Sequence, residues 1–417
     1  RDVERSRGLG DVYKRQGPLR LANRIAIQPM EGCDGTPDGR PDTLTQRRYR
    51  RFARGGAGLI WFEATAIVQE GRANPRQLYL NKKTLDSFRT QVEEIKEEGM
   101  RQNGFAPVVI CQLTHSGRYA KPEGVPAPLI AYNNPLFEKE QPIDKSRIVS
   151  DDKLKRLEEA FGATALLAQE AGFDGADIKC CHRYLLSEML SAFTRPGDYG
   201  GAFENRTRLL RNAIFAAKGA TSGEFLITSR VNLYDGFAYP YGFGVSPTGG
   251  LMPDLTEPKA LVTLLHEELR LPMLDFTIGN PYVNPHVNRP YDGGPYVPDE
   301  HPLEGVARML GCIGQLKKAF PSLCVIGSGF SYLRQFSPYL AAGAVEQSVC
   351  DLAGFGRMAF AYPDFPRDTL YGEGFNARKT CIACGKCSAL MRAGTVAGCV
   401  VRDGETYLPF YQAHCCV

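Results

Sequence analysis

Cys381, Cys384, Cys387 and Cys399 lie in the stretch "CIACGKCSALMRAGTVAGC" with the spacing C-x2-C-x2-C-x11-C. Thiolates this close together grip metals, and in a cytosolic chain clustered cysteines favour metal or redox chemistry over disulfides. The rest of the 13 cysteines are scattered singly or adjacent, as in Cys180-Cys181 and Cys415-Cys416, which is not a disulfide framework. Zinc sites often use two C-x2-C pairs with a long spacer between them. Three cysteines on one tight loop and a fourth further on suit an iron–sulfur cubane. A [4Fe–4S] cluster is the expected occupant, with structural zinc as the alternative.

A second set of candidates sits where apolar runs end. "RIAIQPM" closes on Pro29-Met30, "GLIWFEA" on Glu63-Ala64, "APVVICQL" on Gln112 with His115 beyond it, and "GADIKC" runs into Lys179-Cys180-Cys181-His182-Arg183-Tyr184. "FLITSRV" reaches Arg230, "LCVIGSG" ends in Ser328-Gly329 and "VCDLAGFG" in Gly356-Arg357. An amide such as Gln112 and a cation such as Arg230 can read the edge of a planar heterocycle. Glycines after two late strands can cradle a phosphate through backbone N–H groups. Each has an ordinary reading as well: a lone Gln or Arg usually faces solvent, and paired glycines usually make turns.

The elements that must position these residues follow from periodicity. Including "MLDFTIG", eight short β-branched or aromatic runs alternate with longer amphipathic stretches. Continuous apolar runs of this length read as parallel strands buried on both faces. "TLDSFRTQVEEIKEEGMRQ" and "SDDKLKRLEEAFGATALLAQEAG" have helical spacing, the second capped by Ser150-Asp151 and ending at Gly172. Eight such units predict a (β/α)8 barrel of the α/β class. A doubly wound sheet is second, because no G-x-G-x-x-G follows a strand. Two long Gly-, Pro- and Tyr-rich intervals, after the fifth and sixth runs, are expected to cover a substrate or cofactor at the barrel's C-terminal face. The expected organisation is an adaptor-like, non-native segment at 1–16, a barrel over 17–372 and a cysteine-rich annex over 373–417. A chain of 417 residues, 43% hydrophobic, 23% charged and of net charge +4, has no nucleic-acid or membrane signature. With no signal-peptide pattern, the expected compartment is the cytoplasm.

"LANRIAIQPM", "ICQLTHSGR", "GFDGADIKCCHRYLLSEMLS", "YGGAFENRTRLLR" and "GFGRMAFAYPDF" resemble the old yellow enzyme family of FMN-dependent ene-reductases. The likeness covers roughly residues 17–370. The cysteine annex resembles one branch, that of 2,4-dienoyl-CoA reductase, the 2-enoate reductases and trimethylamine dehydrogenase, in which a [4Fe–4S] cluster follows the barrel. That branch typically reads C-x2-C-x3-C-x11-C, so this chain is one residue shorter at the third step. The resemblance implies FMN lined by Pro29, Met30 and Ala64. Gln112 would bond the pyrimidine edge, Arg230 would face the anionic side of the reduced ring, and Ser328, Gly329, Gly356 and Arg357 would hold the phosphate. Cys33 is where some members place a flavin-tuning cysteine. His182 would bond a substrate carbonyl and Tyr184 would give a proton to the α-carbon. Lys179 departs from the family's usual residue. It either joins His182 at the carbonyl or is a salt-bridged strand-end residue. Tyr282 and His286 are further candidates to reach substrate.

The implied activity is reduction of the C=C bond of an α,β-unsaturated carbonyl, acid or thioester, in an anaerobe, with electrons arriving through the cluster. The alternatives are an oxidative, amine dehydrogenase-like enzyme and a non-catalytic electron-transfer subunit. The longer relatives carry an FAD- and NAD(P)H-binding half. Its absence before Val417 implies either truncation or a separate electron donor such as ferredoxin, flavodoxin or a reductase subunit, and a homo-oligomer is compatible with either.

Overall fold

The computed structural model describes residues 8–11, 13–14 (backbone only), 20–139, 141–294, 296–371 and 374–416. Eight parallel strands close into a barrel: β1 Ile25–Ile27, β2 Leu59–Ala66, β3 Val108–Thr114, β4 Gly175–Ile178, β5 Leu226–Asn232, β6 Met273–Thr277, β7 Cys324–Gly327 and β8 Leu352–Phe355. β8 pairs with β1 to complete the ring. Each strand coincides with one of the eight apolar runs, and β2, β3 and β5 continue one or two residues beyond theirs. The helices that follow β1 to β8 are α1 Thr43–Arg54, α2 Leu85–Asn103, α3 Asp151–Glu170, α4 Arg208–Ala220, α5 Thr256–Val262, α6 Pro302–Ala319, α7 Ser337–Glu346 and α8 Phe365–Leu370. The Ser150 hydroxyl caps α3 by accepting from the Lys153 N–H at 3.2 Å. α3 stops two residues before Gly172, which adopts φ +87°.

The strands' period of two sorts their side chains. Outward residues join the large core shared with the helices. Inward residues form a dry plug that includes Ala26, Leu59, Trp61, Ile110, Met273, Cys324, Ile326 and Leu352. Two residues further along each of several strands, the inward position turns polar. Ala26 gives way to Gln28, Ile110 to Gln112, Met273 to Asp275 and Ile326 to Ser328. These groups satisfy one another. Gln112 Nε2 donates to Asp177 at 2.6 Å, Trp61 Nε1 donates to Asp177 at 2.8 Å, and Gln28 Nε2 donates to both Asp275 and Ser328 at 3.1 Å. An apolar floor beneath a polar layer thus sets up a chemical surface at the C-terminal mouth.

The annex contains α9 Lys386–Arg392 and α10 Gly404–Cys415. Leu390, Val396, Val400 and Tyr407 give it a small core of its own. It is tied to the start of the barrel. Asp403 accepts from Arg47 at 2.7 and 2.9 Å and also from Arg51, both on α1. Ala397 N–H donates to the Gly32 carbonyl at 2.7 Å. In the expected adaptor segment, Leu9 is buried and its carbonyl accepts from Arg24 N–H at 2.8 Å. Residues 1–7, 12 and 15–16 of that segment, and the boundary at 372–373, lie outside the described residues. Among the described residues no helix is long and apolar enough to cross a membrane.

Candidate active site at the barrel mouth

Beyond β4 the chain makes a sharp turn in which His182 (φ 63°) and Arg183 (φ 53°) are both left-handed. Non-glycine residues seldom adopt this conformation, and here the surroundings enforce it. Arg183 is driven beneath the turn, where its guanidinium donates to Asp235 at 2.8 Å and to the Tyr241 carbonyl at 3.0 Å. The loop after β5 is therefore committed to holding this turn from below, and none of its residues lines the cavity described next. The expectation that it covers the site is corrected accordingly. The loop after β6 does cover the site, through Tyr282, Asn288 and Arg289.

The cavity at the mouth has a volume of about 1020 Å3, part of it open to solvent. It gathers Pro29, Met30, Lys179, His182, Tyr184, Arg230, Ser328, Gly329, Gly356 and Arg357 from five different strand ends. Cys387 of the annex also lines it. Five candidate residues do not. Gln112 is held by Asp177 below the mouth, Ala64 is buried with its carbonyl accepting from Gln77 at 3.3 Å, and Cys33 accepts from Asn74 at 3.4 Å. His286 turns instead toward Glu300, 3.2 Å away. His115 lies off the cavity, its Nδ1 accepting from Gly117 N–H at 3.0 Å.

Residues that the sequence reasoning passed over complete the site. Tyr184 Oη donates to Glu31 at 3.1 Å and lies 2.7 Å from Tyr282 Oη. Lys179 Nζ sits 3.6 Å from Glu31 and 3.8 Å above the Tyr184 ring. Tyr119 stacks on Tyr282 at 4.0 Å. Gln28 is a cavity residue whose Oε1 is buried without a partner, and the buried Nε2 of His182 also lacks one. Gln28 could have been found from the two-residue period of β1. Arg289 carries no local signal.

The electrostatics favour negative charge in the ligand. Burial holds the His182 imidazole well below its usual range, and the Arg230, Lys179 and Arg289 charges push it the same way, so the ring is neutral. Burial raises the Tyr184 phenol well above its ordinary value, and Glu31 and Tyr282 raise it further. Arg230 pairs with Asp275 at 3.0 Å, yet burial still lifts the Asp275 carboxyl to about 7. Behind β1, buried Arg48 binds both Asp34 and Glu63, and Glu63 accepts from Gly32 N–H at 2.8 Å. This network fixes the turn that carries Met30 and Glu31.

All four cluster-motif cysteines line a single cavity of about 380 Å3, alongside Arg357 and Phe360, which also face the barrel cavity. Ala383 N–H donates to Cys381 Sγ at 3.4 Å and Arg402 N–H to Cys399 Sγ at 3.3 Å. Among the described residues, no three His, Cys, Asp or Glu side chains converge tightly enough to hold a single ion.

A closed parallel barrel with an apolar floor, a cationic mouth and serine and glycine at the ends of its last two strands has the architecture of a flavin-dependent oxidoreductase. Residues 15–243, over half of the chain, match the NADH:flavin oxidoreductase / NADH oxidase family. The chain belongs to that family. It is 31% identical over 230 residues to an NADPH dehydrogenase of Clostridium acetobutylicum, a match covering 54% of this chain and 64% of that protein. An NADPH dehydrogenase of Bacillus subtilis is 32% identical over 217 residues, covering 50% of this chain and 60% of that protein. The chain thus spans less than two thirds of the length of these relatives. A 2-naphthoyl-CoA reductase in complex with 2-naphthoyl-CoA superposes with a TM-score of 0.76 at 18% identity, over 94% of this chain and 56% of that one. Histamine dehydrogenase from Rhizobium sp. 4-9 gives 0.73 at 21%, over 95% and 52%. The old yellow enzyme homologue from Zymomonas mobilis gives 0.66 at 22%, over 88% and 94%. Likeness at these identities establishes the fold.

Proposed function

We propose that this chain is an ene-reductase that holds FMN at the barrel mouth and a [4Fe–4S] cluster between Cys381, Cys384, Cys387 and Cys399. The observation that carries the reading is the grouping of an unpartnered neutral imidazole (His182), an ammonium (Lys179) and a protonated phenol (Tyr184) in one electropositive cavity. The residues fit FMN in most respects. Pro29 and Met30 offer a wall for the ring, Arg230 and the orphaned Gln28 Oε1 offer polar edges, and Ser328, Gly329, Gly356 and Arg357 offer a phosphate cradle. Gln112, engaged with Asp177, offers nothing to the cavity in this state. The four thiols line one cavity and, among the described residues, do not converge on a point, an arrangement that suits a cubane better than a single zinc ion. The longer neighbours match 94–96% of this chain, against 88% for the old yellow enzyme homologue, which supports the cluster-bearing branch.

Bound FMN supplies hydride chemistry and the cluster supplies single electrons. This chain's residues do the rest. As a hydride reaches the β-carbon of an activated alkene, negative charge develops on the carbonyl oxygen. The His182 Nε2–H and the Lys179 ammonium can bond that oxygen as its charge grows. The Tyr184 phenol then protonates the α-carbon, so hydride and proton together saturate the C=C bond. Its hydrogen points at Glu31 in this state, and transfer requires rotation about the Cζ–Oη bond. The site also argues against the amine dehydrogenase reading. Tyr184 and Glu31 would make a seat for an ammonium, but Lys179 already occupies it. The electron donor is proposed to be a separate protein of the ferredoxin, flavodoxin or reductase-subunit type.

The test is an anaerobic screen of enones, enoates and enoyl-thioesters with Tyr184→Phe beside the parent protein. The variant should bind FMN normally and reduce substrate about 100-fold or more slowly, the range for loss of a positioned general acid. Equal rates would remove Tyr184 from the proton-donor role. A metal-free, colourless protein after reconstitution with iron, sulfide and FMN would overturn the whole reading.

A further inference from the structure

We propose that Arg289 is the electrostatic link between the two redox cavities, its guanidinium stabilising the negative charge that the cluster gains on reduction. The inference rests on the [4Fe–4S] reading of the annex. Arg289 lies on the loop after β6 and bridges barrel and annex. One Nη donates to the Pro281 carbonyl at 3.2 Å and the other to the Ser388 hydroxyl, next to Cys387. It lines the barrel-mouth cavity and also a second cleft of about 700 Å3 that contains Arg357, Lys386, Arg392 and Cys384.

These four cations line one cleft. Among the described residues none of them has a carboxylate within ion-pair distance. Arg357 donates to the Pro290 carbonyl at 3.1 Å, and Lys386 lies 5.1 Å over the Tyr411 ring. Guanidiniums gathered in a low-dielectric cleft repel one another unless an anion is present. Four thiolates around a cubane make such an anion, and its negative charge rises by one with each electron accepted. Arg289 is the one of these cations joined by hydrogen bonds to both the β6 loop and the annex, so it also sets the approach of Cys387 to the mouth. It acts on the redox groups through charge and position and takes no part in bond making.

The experiment is an EPR-monitored redox titration of the full chain, reconstituted anaerobically with iron, sulfide and FMN, for the parent protein, Arg289→Gln and Arg289→Lys. The Gln variant should lower the reduced-to-oxidised cluster ratio at a fixed solution potential at least tenfold, equivalent to 59 mV for a one-electron couple. The Lys variant should stay near the parent. Coincident titration curves for the parent and the Gln variant, at equal iron content, would overturn the proposal and leave the cluster reading intact. A parent protein that takes up no iron would overturn both. If Arg289→Gln does not retain its fold, Arg392→Gln, exposed on α9, should give a smaller shift of the same sign, and no shift there would refute the cationic-cleft argument.

Discussion

Asp403→Asn tests how the annex is held against the barrel. The Asp403 side chain is 8% exposed and binds Arg47 through both oxygens and Arg51 through one. A hydrogen bond to a charged group contributes about 1.5–3 kcal/mol when well shielded. Arg47 and Arg51 are 38% and 32% exposed, so solvent screens much of this. Roughly 2–3 kcal/mol of docking energy should be lost, since Asn keeps a single acceptor and leaves two guanidiniums facing it. At tenfold per 1.4 kcal/mol, the annex should open roughly 30- to 140-fold more often. Hydrogen exchange resolves this. Amides of α9 and α10 should exchange faster by that factor, while those of β3 to β6 stay as in the parent protein. High salt should shift the parent toward the variant. Uniform acceleration over both parts, or none, would refute the view that this ion cluster is the main clasp.

Lys179→Met should raise KM for substrates bearing a carboxylate more than for simple enones, because it removes a cation that lines the cavity together with His182 and Tyr184; steady-state kinetics on matched substrates checks this. It should also free Glu31 and Tyr184 from their shared partner, giving a new pH dependence of kcat/KM. Asp275 makes a pH prediction. Its folded carboxyl is raised to about 7 by burial, so its contribution to stability is complete below the unfolded carboxylate pKa and is lost as pH rises through about 7. Thermal melts of Asp275→Asn should therefore gain on the parent protein between pH 5 and 8, and a constant difference would remove that assignment.

The barrel was legible because parallel strands covered on both faces must be apolar almost throughout, and such runs stand out. The positions of Lys179, His182, Tyr184, Arg230 and the strand-seven and strand-eight glycines followed from strand ends alone. The direction of a side chain did not. Gln112 has the right place on β3, but Asp177, one strand over, captures its amide. Cys33 is close in sequence to Met30, yet a left-handed residue at that point turns it toward Asn74. Glu31 and Arg289 were missed for a different reason. The meaning of each depends on a partner far away in sequence, Tyr184 for the first and the annex for the second.

The clasp at Asp403 also orders events in time. Its partners on α1 lie 352 and 356 residues earlier in the chain. At ordinary synthesis speeds of about 5–20 residues per second, α1 waits on the order of 20–70 s on the ribosome before its counterpart exists. The first half of the barrel must endure that interval with the Arg47 and Arg51 charges in water. The four motif cysteines, Cys381 to Cys399, emerge after all eight barrel strands have been made. On the [4Fe–4S] reading proposed above, iron would be loaded after the barrel strands are made, and the annex would dock onto a barrel that waits for it.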